Sequence, residues 1–107
     1  GDDSLTLAFM SVGAVGVISV ASNLVPQAMS DLVRHALDGR FDQALAVHKK
    51  YYRLFSAFLK LDTNPVPIKA AMSLAGFGEP TLRLPMVGLD EEKTALLHTT
   101  LKELQII

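Results

Sequence analysis

The chain has 107 residues, 50% of them hydrophobic and 20% charged, with 10 Lys and Arg against 11 Asp and Glu. That is the size of one small domain, and a net charge of -1 with both signs interspersed offers no basic stripe to a phosphate backbone, so no nucleic-acid partner is expected. The absence of cysteine excludes a disulfide framework, a thiolate metal site and a Cys nucleophile.

The first residue is Gly1 rather than Met, and Gly1-Asp2-Asp3 lacks the positive region of a signal peptide, so processing or truncation is the simpler reading. No charged residue occurs from Ser4 to Ser30, and Leu5 to Val25 is long enough as a helix to cross a bilayer core of about 30 Å. Ser11, Gly13, Gly16, Ser19, Ser22 and Asn23 interrupt it, and its flanks carry no Lys, Arg, Trp or Tyr anchors, so no membrane span is expected.

Apolar spacing predicts a short helix over residues 4–12, with Asp3 or Ser4 as cap and Gly13 as stop. Gly16-Val17-Ile18-Ser19-Val20 is short, β-branched and bounded by turn residues, the profile of a strand buried on both faces. A lone strand leaves its backbone groups unpaired, so its partners must lie outside this chain. Past Pro26 the pattern is helical. A stripe of Ala28, Met29, Leu32, Val33, Ala36 and Leu37 marks a helix closed by Gly39. Phe41, Leu45, Tyr52, Phe55 and Leu59 are expected to line one face of a longer helix ending near Leu61, broken by Asn64-Pro65-Val66-Pro67. A third helix is predicted from Pro67 or Ile68 to Ala75, then an extended connector over 81–89. A last helix opens on Asp90-Glu91-Glu92 and packs through Leu97, Leu101 and Leu104. The order helix, strand, helix, then helices alone is that of the end of an α/β protein whose other strands lie upstream.

Few residues stand out chemically. Asp2 and Asp3 could form an acid/base pair, although neighbours at a helix start more often serve as cap and dipole partner. The six lysines at 49, 50, 60, 69, 93 and 102 fall among polar neighbours on helices, not in the desolvated pocket a Schiff-base lysine requires. His35, His48 and His98 lie on separate helices without ligand spacing, so no metal site is expected. Ser19 and Ser22 lack a nucleophile elbow and read as hydrogen-bonding residues at a strand end. Of Tyr51 and Tyr52, one ring should pack and the other face outward. Met10, Met29, Met72 and Met86 are expected to fill the core.

Four segments in order, Gly1-Asp2-Asp3, Gly16-Val17-Ile18-Ser19-Val20 with Asn23, Asn64-Pro65-Val66-Pro67-Ile68-Lys69 and Leu82-Arg83-Leu84-Pro85-Met86, resemble the C-terminal third of the dihydrodipicolinate synthase family. The sister pyruvate-dependent lyases, such as N-acetylneuraminate lyase, are less similar. The resemblance implies an α/β fold: the end of a (β/α)8 TIM barrel over residues 1–39 (helix 7, strand 8, helix 8), followed by a C-terminal helical domain over 40–107. It further implies a cytoplasmic, homotetrameric enzyme of lysine and diaminopimelate synthesis. That enzyme condenses pyruvate with aspartate semialdehyde through a lysine Schiff base and uses no added cofactor. The lysine would lie upstream in a missing N-terminal barrel segment, so this chain alone would hold no catalytic residue and be inactive. Ile18 matches the position whose backbone carbonyl faces bound pyruvate, and Gly1 and Asp2 match the rim near the aldehyde substrate. The alternative is a non-catalytic helical interaction module, or a small membrane-associated peptide, in which residues 16–20 would be helical.

Overall fold

A computed structural model describes residues 1–107. Its regular elements are all helical: 3-10 turns at Asp3–Leu5 and Ala21–Asn23, and helices α1 (Thr6–Ser11), α2 (Pro26–Leu37), α3 (Phe41–Lys60), α4 (Val66–Leu74) and α5 (Glu91–Glu103). The helices fall where apolar spacing and breakers place them. Pro26 opens α2 at the first position, where its missing N–H would have no helical partner in any case. Asp90 caps α5, its carboxylate accepting the Lys93 N–H at 2.8 Å, with Glu91 and Glu92 in the first turn. At the other end of α2 the chain turns through Gly39 at φ 77°, a left-handed geometry that costs an L side chain energy. There the Arg40 N–H reaches back to the His35 carbonyl at 2.8 Å. The same back-reaching bond ends α1 (Ala14 to Phe9, 3.0 Å), α4 (Phe77 to Met72, 2.9 Å) and α5 (Ile106 to Leu101, 2.9 Å).

Two compact units make up the chain, Gly1–Phe55 and Ser56–Ile107. In the first, α1 packs on α2, and α2 on the Ala21–Asn23 turn. Met10, Ala21, Met29, Leu32 and Ala36 are buried there. Leu32, with no exposed surface, gains about 1.5–3 kcal/mol from removal of its side chain from water. In the second unit α4 packs on α5, with Val66, Pro67, Ile68, Ala71, Leu97 and Leu101 buried. Lys69 on α4 donates from Nζ to the Thr81 carbonyl at 2.6 Å, fixing the start of the connector.

Two expectations are corrected. The strand Gly16–Val20 does not form, so the chain, expected to be mostly helical with one strand, has helices alone as its regular elements. A β ladder needs a neighbouring strand to receive its N–H and C=O groups, and no second strand is present. Instead residues 14–19 run without regular structure, and Val12 (83% exposed), Val15 (78%) and Ile18 (90%) stand open to solvent. The buried line of α3 is also rotated: Ala44, Leu54, Phe55 and Phe58 are buried, while Phe41, Leu45, Tyr52 and Leu59 remain exposed. The apolar side of this helix is wider than the line that is buried, so periodicity alone does not select which part of it faces inward. The alternative in which residues 16–20 are helical is not what the structure adopts, and no helix is long and apolar enough to cross a membrane.

Candidate functional site

Two segments far apart in sequence meet at one place. The amino group of Gly1 donates to the Ile18 carbonyl at 3.0 Å. Two residues on, the Asp3 carboxylate is buried and accepts the Ala21 N–H at 2.9 Å through Oδ2 and the Ser19 hydroxyl through Oδ1. Ser19 Oγ in turn accepts the Ser22 N–H at 2.9 Å, and Ser22 Oγ donates to the Ser19 carbonyl at 3.0 Å. Each polar group of this part-buried cluster is thus partnered, as the burial of Asp3 requires. Asp3 is therefore not the cap of the first helix: its carboxylate turns away from α1 and secures the Ala21–Asn23 turn. Asp2 precedes Asp3–Leu5 with extended backbone (φ -70°, ψ 128°), makes no side-chain cap bond and stays exposed.

A hollow of about 320 Å³ opens beside this junction, lined by Gly1, Asp2, Thr6, Phe9, Gly16 and Ile18 among others. A second, of about 360 Å³, shares Gly16 and Val17 with it but is otherwise lined by residues such as Ser19, Pro26, Met29 and Val33. The first brings together all three residues expected at a substrate site, Gly1, Asp2 and Ile18. Asp2 is its one charged side chain, and no lysine, histidine or arginine lines it. What it can do chemically is accept and donate hydrogen bonds through backbone groups, the Thr6 hydroxyl and one carboxylate; no lysine side chain reaches it.

The remaining candidates are dispersed. Lys49, Lys50 and Lys60 sit on α3, Lys69 on α4, Lys93 and Lys102 on α5. Lys50 Nζ lies 5.3 Å from the centre of the Tyr51 ring, which stacks on Phe55 at 6.3 Å, whereas Tyr52 is exposed. His48 tilts against Tyr52 with ring centres 5.4 Å apart. Desolvation holds its pKa below the usual histidine value, because burial disfavours the imidazolium. No three His, Asp or Glu side chains are grouped to hold a metal ion. Met10 and Met29 are buried; Met72 and Met86 are only partly so. The residues that sequence reasoning missed are Asp3 and Ser19 as a pair: 16 positions apart, they form no local motif, and only the fold brings them together.

The chain is similar throughout to one group of proteins. The sequence profile of the Dihydrodipicolinate synthetase family matches residues 1–104. The 4-hydroxy-tetrahydrodipicolinate synthase of Persephonella marina is 44% identical over 108 residues, covering 100% of this chain and 36% of the relative. That of Methanosarcina barkeri is 45% identical over 107 residues, with the same coverage. Among solved structures, dihydrodipicolinate synthase from Thermotoga maritima aligns with a TM-score of 0.96 at 39% identity, covering 100% of this chain and 36% of that one. The chloride-inhibited synthase of Acinetobacter baumannii complexed with pyruvate aligns at 0.94 and 34% identity, again over 100% of this chain and 36% of the other. The chain thus spans about a third of the length of these relatives. With a family profile matched across 104 of its 107 residues, this chain belongs to the dihydrodipicolinate synthetase family.

Proposed function

We propose that the chain is the C-terminal part of a 4-hydroxy-tetrahydrodipicolinate synthase, a lyase of lysine and diaminopimelate synthesis that condenses pyruvate with aspartate semialdehyde. The observation that carries this reading is similarity to synthases along the whole chain, at 44–45% identity in two distantly related organisms. Pyruvate as one substrate is supported by the complex of the Acinetobacter baumannii synthase. In this reading residues 1–39 close a (β/α)8 barrel, 40–107 form the appended helical domain, and residues 16–20 become the eighth strand once its neighbours are present. The assembled enzyme is a cytoplasmic homotetramer.

The reactive lysine then belongs to the rest of the barrel. Its amine attacks the pyruvate ketone, water leaves, and the iminium so formed needs acceptors for its positive charge. The Ile18 carbonyl is such an acceptor, placed at a strand end where barrel sites are built. Gly1 and Asp2 form the rim that meets the aldehyde substrate. The hollow at Gly1, Asp2 and Ile18 supports these roles, since it joins backbone acceptors to an open apolar space and is lined by no lysine.

Trapping with pyruvate and borohydride tests the reading by intact mass. The 11.6 kDa chain is expected to stay unmodified alone, whereas the complete barrel gains a reduced adduct on a lysine outside this segment. An adduct on one of the six lysines of this chain, or none on the complete barrel, contradicts it.

A further inference from the structure

We infer that Asp3 is a positioning residue, whose buried carboxylate fixes the direction of the Ile18 carbonyl. The tripeptide Gly1-Asp2-Asp3 touches the segment Ile18–Ala21 at both ends. Gly1 donates to the Ile18 carbonyl at 3.0 Å, and Asp3 receives the Ser19 hydroxyl and, at 2.9 Å, the Ala21 N–H. The peptide unit that carries the Ile18 oxygen is shared with Ser19. Its rotation is therefore limited by the bond at the oxygen and by the side-chain bond of the next residue. Ser19 Oγ also accepts the Ser22 N–H at 2.9 Å, so turning Ser19 away from Asp3 breaks a second bond. Polar contacts to Gly1 and Asp3 thus hold this stretch at both ends. Asp3 itself lies outside the lining of the hollow and is buried, so it acts through Ser19 and Ala21, not by touching a ligand.

The catalytic meaning rests on the proposed synthase reading, in which the Ile18 carbonyl faces the bound keto acid; the geometric claim does not. The test uses the isotopically labelled chain with Asp3→Asn, Ser19→Ala and Ser19→Thr. Asp3→Asn and Ser19→Ala are each expected to displace the Ile18 carbonyl carbon resonance, while Leu97 and Leu101 keep theirs as a control for folding. In Asp3→Asn the Ala21 amide should exchange about tenfold faster, the scale of one lost charge-assisted hydrogen bond. Ser19→Thr, which keeps the hydroxyl, should restore the native Ile18 resonance. If Asp3→Asn does not fold, the two Ser19 variants decide alone. An unmoved Ile18 resonance in folded Ser19→Ala overturns the inference, as does a displaced one in Ser19→Thr. In the complete barrel, the rate of borohydride trapping of pyruvate should fall about tenfold in Ser19→Ala, one hydrogen bond's worth, and recover in Ser19→Thr; an unchanged rate removes the positioning role. If the native barrel traps no pyruvate, the synthase reading fails while the Ile18 resonances still judge the clamp.

Discussion

Leu97 and Ile18 are both large aliphatic residues in apolar-patterned segments, yet Leu97 on α5 is fully buried and Ile18 is 90% exposed. The difference lies in where each backbone finds its hydrogen bonds. A helix closes its own N–H to C=O bonds within four residues, so α4 and α5 need no outside partner for their backbones and cover one another with a handful of apolar side chains. An extended segment has no such internal closure. Residues 14–18 can bury Val15 and Ile18 only against strands on either side, and none is present. The first unit therefore holds itself together at α2 and at the Asp3 cluster, and leaves its most strand-like residues open.

Substitutions in each should separate the two regions by their effect on stability. The largest effect is expected at Leu97→Ala, which empties a fully buried site and should cost about 2–5 kcal/mol in denaturant unfolding. A loss below about 1 kcal/mol would mean that α5 is not part of a packed core. Next comes Asp90→Ala, which removes the acceptor for the Lys93 N–H and should cost about 1 kcal/mol by the same assay. Smaller again is the pH effect of His48. Its pKa is lowered on folding by burial, so the unfolded chain takes up the proton first as pH falls. The stability it contributes is present above its unfolded value, near 6.5, and is lost as pH falls from there toward the lower folded value. His48→Gln should flatten that part of a thermal-melting pH series. Smallest of all is Ile18→Thr, expected to change the stability of this chain by no more than about 0.5 kcal/mol because the residue is 90% exposed. A cost comparable to that at Leu97 would show that residues 14–18 are buried in solution.

Most helices were legible because their signals are local. Pro26, Gly39 and the Asn64–Pro67 run mark boundaries that the structure keeps within a residue or two, and Asp90-Glu91-Glu92 opens α5 as its charges require. The inner face of α3 was not legible, since Phe41, Leu45, Tyr52 and Leu59 compete with Ala44, Leu54 and Phe58 for burial and only the neighbouring elements decide. The run Gly16–Val20 shows the opposite limit: its composition is that of a strand, but composition alone does not make one, and the segment stays irregular. Gly1, Asp2 and Ile18 could be drawn together only through a family resemblance, and they do line one hollow. Asp3 was read as a cap from its place before a helix, and nothing local signals that Ser19 and Ala21 would claim its carboxylate.

The apolar run from Val12 to Ile18 is an open contact surface in this chain. Sedimentation velocity over a concentration series measures it most directly, with the native chain beside a Val15→Thr, Ile18→Thr double variant. Concentration-dependent self-association of the native chain through this exposed apolar surface is expected, weakened in the variant. A single sharp monomer boundary for the native chain at high concentration would contradict it.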